Sequence, residues 1–120
     1  MKQYFVGIDI GSTASKVVVL DDEKIVNREA ERLRTSILAG LKLKEEHPEK
    51  EMLVFLHYPP AYGSVKCERI CEVIHEYGIK RVYYGHLHGA VKSRLIHQIA
   101  GAQLTLIAAD WVDFTPIEIK

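Results

Sequence analysis

No stretch of this chain approaches the ~20 consecutive apolar residues that a helical membrane span requires, and Met1 to Phe5 lacks the layout of a secretion signal. Charge of one sign is also missing: 16 Lys and Arg cancel 16 Asp and Glu. That balance leaves no bulk attraction to nucleic acid or to an anionic membrane surface. Cysteine is scarce. Cys67 and Cys71 stand one helical turn apart, which suits reduced thiols on one face better than a structural disulfide. His75 extends their stripe, but three such positions on a straight helix span ~12 Å, too far for one ion. No low-complexity linker or internal repeat interrupts the chain. Together these absences predict a cytoplasmic chain with neither a nucleic-acid nor a membrane partner.

With 120 residues, 48% of them hydrophobic and 27% charged, the chain has the composition of one globular domain, 1–120, with a modest core. Tyr4 to Asp9 and Ser15 to Leu20 read as strands, and after the acidic turn Asp21 to Lys24 a short third strand, Ile25-Val26, can follow. Asn27 or a neighbour can cap a helix over Arg28 to Glu46 in which Ala30, Leu33, Ile37 and Leu41 recur at helical spacing, and Pro48 stops it. Met52 to Leu56 reads as a buried strand. A second helix spans Val65 to Tyr77, buries Ile70, Val73, Ile74 and Tyr77, and ends at Gly78. A strand follows over Arg81 to Tyr84. Ala90 to Ala100 fits either a short helix or a hairpin arm, and Gln103 to Ala108 and Val112 to Ile119 read as strands. The expected class is α/β, a small layered sheet with helices.

The chemistry concentrates at two of the strand ends. His57 follows the strand over Met52 to Leu56. His86 and His88 occupy a glycine-flanked turn, Gly85 to Gly89, after the strand over Arg81 to Tyr84, and the ends of strands are where open α/β sheets keep their reactive groups. Three imidazoles there suit a divalent cation such as zinc, manganese or iron, with Asp9 or water completing four ligands. Separately, Gly11 permits a tight turn whose backbone N–H groups and Ser12 and Thr13 hydroxyls can form an anion nest. The simpler reading of each is a turn with local hydrogen bonds and no ligand. His47 and His97 read as solvated, and Lys42, Lys44 and Lys50 alternate with acids as a solvated face. Asp110-Trp111 is expected to form an interaction surface or close the sheet, without a catalytic part.

The runs FLHYPP and VYYGHLHG and the closing LIAADWVDFTPIEI, over roughly Glu29 to Lys120, resemble the C-terminal half of a calcineurin-like metallophosphoesterase. The resemblance implies that His57 and His86 ligate one metal of a two-metal centre and His88 the other, with a turn histidine, His86, assisting the leaving group. The DxH, GD and GNH motifs that supply such enzymes' acidic ligands are absent from this sequence. A second likeness covers Met1 to Val26: GIDIGSTASKVVVL is similar to the first phosphate-binding loop of actin-like ATPases, closest to the activator ATPases of 2-hydroxyacyl-CoA dehydratases. That likeness places Asp9 near magnesium and Gly11, Ser12 and Thr13 at the nucleotide phosphates. The chain thus reads as a chimera joined near Asn27 to Glu29, half of a metallophosphoesterase sandwich completed by an N-terminal β-hairpin. The expected function is a metallophosphoesterase-like protein with little or no hydrolase activity. The alternatives are a non-enzymatic, self-associating module, a homodimer or larger, and an ATP-binding activator fragment. Exposed sheet edges in a half-domain motivate the self-association.

Overall fold

The computed structural model of the chain describes residues 22–120, with side chains from Ala30 onward. Helix α1 (Asp22–Glu46) leads to strand β1 (Val54–Leu56), a small hairpin of β2 (Ala61–Tyr62) and β3 (Val65–Lys66), and helix α2 (Glu68–Glu76). Strand β4 (Arg81–Tyr84), a 3-10 turn (Lys92–Arg94), β5 (Gln98–Ile99) and β6 (Ala102–Leu106) complete the described elements. The main sheet has the order β1-β4-β6-β5, with β1, β4 and β6 parallel and β5 antiparallel to β6. The described residues therefore form a small α/β fold with a mixed sheet and two helices.

Register explains which side the helices cover. Val54 lies beside Val82 and Leu104, and Leu56 beside Tyr84 and Leu106, so these residues share one face of the pleat. They join Ala30, Leu33 and Ile37 of α1 and Ile70, Val73 and Ile74 of α2 in a single buried cluster. Both helices thus lie on the same face. Phe55 and Tyr83 point the other way, their rings stacked with centroids 5.2 Å apart.

Ion pairs mark the two ends of the sheet and the direction of α1. Glu51, just before β1, is gripped through both carboxylate oxygens by Arg81, the first residue of β4, at the amino end of the strands. At the carboxyl end, Glu31 lies 4.0 Å from Arg69 in the first turn of α2. Helix α1 therefore descends from the carboxyl to the amino end. It begins nine residues before Glu31, so about 13 Å of helix stands beyond that pair.

Several sequence expectations change. Ile25-Val26 is helical, and so is Asn27: α1 starts at Asp22 and runs unbroken through the expected junction at Asn27 to Glu29. The segment read as a turn over Asp21 to Lys24 is helical from Asp22 onward. Val65 and Lys66 belong to a hairpin strand, and α2 starts only after Cys67. The Cys67 N–H donates to the Pro60 carbonyl at 2.9 Å, holding that residue extended. Gly78 ends α2 as expected, at φ 60°, with the Ile79 N–H closing on the Ile74 carbonyl at 3.0 Å. The Ala90 to Ala100 segment resolves as the hairpin arm: Ala100 and Gly101 have φ 53° and 82°, a two-residue turn with both angles positive between β5 and β6. Val112 to Ile119 forms no strand. Asp113 and Phe114 both take φ 53°, and turn hydrogen bonds such as Phe114 N–H to Ala109 carbonyl, 2.8 Å, replace a ladder. The strands expected over Tyr4 to Asp9 and Ser15 to Leu20 lie outside the described residues. No described helix is long and apolar enough to cross a membrane.

Candidate metal centre

Parallel pairing of β1 with β4 sets their last residues, Leu56 and Tyr84, side by side, and His57 and Gly85-His86 leave the sheet together. The Gly85 N–H sits between the Leu56 and His57 carbonyls, 3.2 Å from each. One residue on, the Leu87 N–H donates back to the Gly85 carbonyl at 2.7 Å, with His86 between them at φ 65°. This is a γ-turn of the sense that is rare and strained for an L residue. Holding a non-glycine residue there costs on the order of 1–3 kcal/mol.

The turn delivers the His86 Nδ1 to within 3.3 Å of the His57 Nε2. Tyr58 packs on both rings, with centroids 4.7 Å from His57 and 4.4 Å from His86. Partial burial and the neighbouring His57 and His88 rings hold the His86 pKa below the usual imidazole range. His86 is accordingly neutral at pH 7, the form that ligates metals. Two nitrogens 3.3 Å apart either share one ring N–H or face a common cation. On a tetrahedral ion with Zn–N near 2.05 Å, two ligands stand roughly 3.3 Å apart, the separation of this pair.

His88 does not join them. Its Nδ1 lies 3.1 Å from the Asp110 Oδ1, and the other oxygen of Asp110 accepts the Gly89 N–H at 2.7 Å. Those two hydrogen bonds, the backbone one first, draw the Asp110 pKa below the usual carboxylate value. An ionised carboxylate only accepts, so His88 presents Nδ1–H to it. Among the described residues, no three His, Cys, Asp or Glu side chains are gathered around one point. The expected triad of histidines is therefore divided here into a pair, His57 and His86, and a carboxylate-held His88. Asp9, Gly11, Ser12 and Thr13 lie outside the described residues.

Asp110 is the residue that sequence reasoning missed. It follows β6, the strand beside β4, so the rule that drew attention to His57 and His86 applies to it equally. The site is open surface: a cavity of about 200 Å³ runs nearby between β6 and Leu95 to His97, walled by Tyr84 and Trp111, but none of the three histidines lines it. Elsewhere, Cys67 and Cys71 form no disulfide. Burial pushes the Cys71 thiol up to about 11, as expected of a core thiol. His97 is exposed and His47 half-buried.

The chain matches no family model, no curated protein and no solved structure.

Proposed function

We propose that this protein is a metallophosphoesterase-like module that holds one divalent cation between His57 and His86 and hydrolyses phosphoesters little or not at all. The observation that supports the reading is the 3.3 Å separation of the His57 Nε2 and His86 Nδ1 at the carboxyl ends of adjacent parallel strands. A bound zinc, manganese or iron ion would polarise a phosphoryl oxygen and acidify a water.

The chain's own residues supply the rest. The Gly85 main chain fixes the spacing of the two ligands, and Tyr58 covers their rings. His88, whose Nδ1–H is held by Asp110, turns its other ring nitrogen away from that carboxylate. In the neutral ring that nitrogen accepts a proton, and only the protonated ring could take over from His86 the passing of a proton to a leaving oxygen. Weak or absent turnover follows from charge: in the described site the only carboxylate is that of Asp110, and it is engaged with His88 and Gly89. Two imidazoles, which bring no negative charge, do little to hold two dications close together. Elemental analysis of the dialysed protein beside a His57→Ala/His86→Ala variant tests the reading. Near-stoichiometric metal in the first and none in the second is the expected result, with bis-p-nitrophenyl phosphate hydrolysis at or near background. Equal metal content in the two proteins, or none in either, overturns it.

Self-association is a second reading, favoured by Phe114, 79% exposed, and Ile117, 47% exposed, on one terminal segment. Apolar side chains presented together commonly mark a contact surface. A concentration series by light scattering that shows a stable monomer excludes it.

A further inference from the structure

We propose that the cavity between β6 and residues Leu95 to His97 binds a small uncharged planar ring that carries a hydrogen-bond donor beside an acceptor, and that the main chain of β6 reads those two groups. The cavity has a local cause. Strand β5 pairs with β6 only at Gln98 with Gln103 and Ile99 with Ala102, and one further bond, from the Leu104 N–H to the His97 carbonyl at 2.8 Å, prolongs the ladder. Continued hairpin register would set Leu95 opposite Leu106. Leu95 is instead bridged to Tyr62, and the Gly63 N–H donates to the Arg94 carbonyl at 2.8 Å. The Arg94 guanidinium lies 4.9 Å from the centroid of the Tyr62 ring, and the Val91 N–H donates to the Tyr62 hydroxyl at 3.0 Å. The two segments therefore diverge beyond His97 and Leu104, and the gap between them is the cavity of about 200 Å³.

Strand alternation decides which main-chain groups border the gap. The Gln103 and Ile107 N–H groups donate toward β4, to the Lys80 and Tyr84 carbonyls, at 2.8 Å each. The alternate residues Leu104 and Leu106 therefore turn their N–H and C=O groups to the opposite side, as the Leu104 bond to His97 shows. Beyond that bond the Leu104 carbonyl and the Leu106 N–H follow one another along the cavity side of β6, an acceptor and then a donor. Sheet edges of this kind recognise partners through main-chain hydrogen bonds. A ring with a donor next to an acceptor matches both groups.

Side chains set the charge and shape of the occupant. Tyr84 and Trp111 supply aromatic walls, Leu95 and Ile96 apolar ones, and among the described residues no Lys, Arg, Asp or Glu borders the cavity. An ion would enter without a counter-charge, at a cost that an uncharged ring avoids. Burial raises the pKa of the Tyr84 phenol, so that wall is uncharged as well. Trp111 is held by its N–H on the Ala108 carbonyl at 3.0 Å, and 37% of its surface stays open for stacking. The volume is below the roughly 300–1,000 Å³ of pockets for drug-sized ligands, which suits a single ring system. Tyr84 and Leu106 end β4 and β6, so the cavity lies at the carboxyl ends of the strands, where open α/β sheets bind their ligands.

Titration of the isotope-labelled full chain with uracil, followed by NMR in the presence of a chelator, tests the proposal separately from any cation at His57 and His86. Trp111 is the only tryptophan, so its indole N–H is an unambiguous marker of the cavity wall. Saturable shifts of that signal and of the Leu106 amide are expected, with a Kd on the order of 1 mM for so small a ring, while the His57 and His86 amides stay in place. Orotate, the same ring with a carboxylate, and dimethyluracil, methylated at both ring nitrogens, should each bind about tenfold more weakly or worse. Uracil that leaves Trp111 and Leu106 unmoved overturns the proposal. Orotate binding as tightly as uracil overturns the preference for an uncharged ring, and dimethyluracil binding as tightly overturns the reading by the β6 main chain.

Discussion

A zinc titration followed by thermal denaturation asks the most of the histidine geometry. A ligand that binds only the native state, present at 100 times its Kd, stabilises that state by about 2.7 kcal/mol. For a domain of this size each kcal/mol moves Tm by roughly 4 °C, so saturating zinc is expected to raise Tm by about 10 °C. The His57 Nε2 and His86 Nδ1 already stand 3.3 Å apart, so little of the binding energy is spent on moving the ligands together. His57→Ala and His86→Ala should each remove most of the shift. His88→Ala should leave it in place, because that imidazole is turned to Asp110. Differential scanning fluorimetry with chelator and zinc arms reads all four proteins. An unchanged Tm in the parent, or loss of the shift in the His88 variant alone, would refute the division of the three histidines.

Three further outcomes follow from the packing and the charges. Ile37 is fully buried between α1 and the sheet, so Ile37→Ala is expected to cost about 2–5 kcal/mol in urea denaturation; a loss below 1 kcal/mol would mean α1 is not part of the core. The Arg81 hydrogen bonds lower the Glu51 pKa. Its contribution is therefore present above the ordinary Glu value near 4.5 and lost as pH falls through the lowered one. Because Glu51 is 44% exposed, Glu51→Gln should cost only about 0.5 kcal/mol at pH 7, and that cost should shrink as pH falls below the ordinary Glu value, measured from paired denaturation curves. With a thiol pKa near 11, about one Cys71 in a thousand is ionised at pH 8, so iodoacetamide should label it far more slowly than Cys67; equal rates on peptide mapping would contradict its burial.

The sequence made the strand ends legible because their signals are local. An apolar run followed by His57, and Tyr83-Tyr84 followed by a glycine-bounded turn, each announce a group leaving a sheet. The core faces of α1 and α2 were likewise legible: Ala30, Leu33, Ile37, Ile70, Val73 and Ile74 recur at helical spacing, and all are buried. What depends on partners distant in sequence was not legible. The pairing of His88 with Asp110 joins residues 22 apart and is decided by where β6 lies beside β4. Cys67 is tied to Pro60 by a main-chain hydrogen bond that trims α2, and no propensity reports it. The end of the chain misled for the converse reason. Phe114, Ile117 and Ile119 alternate with other residues as a strand would, yet among the described residues no strand pairs with them, so that alternation had no ladder to enforce it.

The single Gly85 N–H set between the Leu56 and His57 carbonyls also bears on how the histidine pair ages and evolves. The spacing of the two imidazoles is inherited from main-chain pairing in the sheet, so substitutions elsewhere on the surface leave it untouched while the sheet stands. A substitution that spares β1, β4 and the Gly85 main chain therefore spares the pair's geometry, and one that parts the two strands loses the placement of both imidazoles at once.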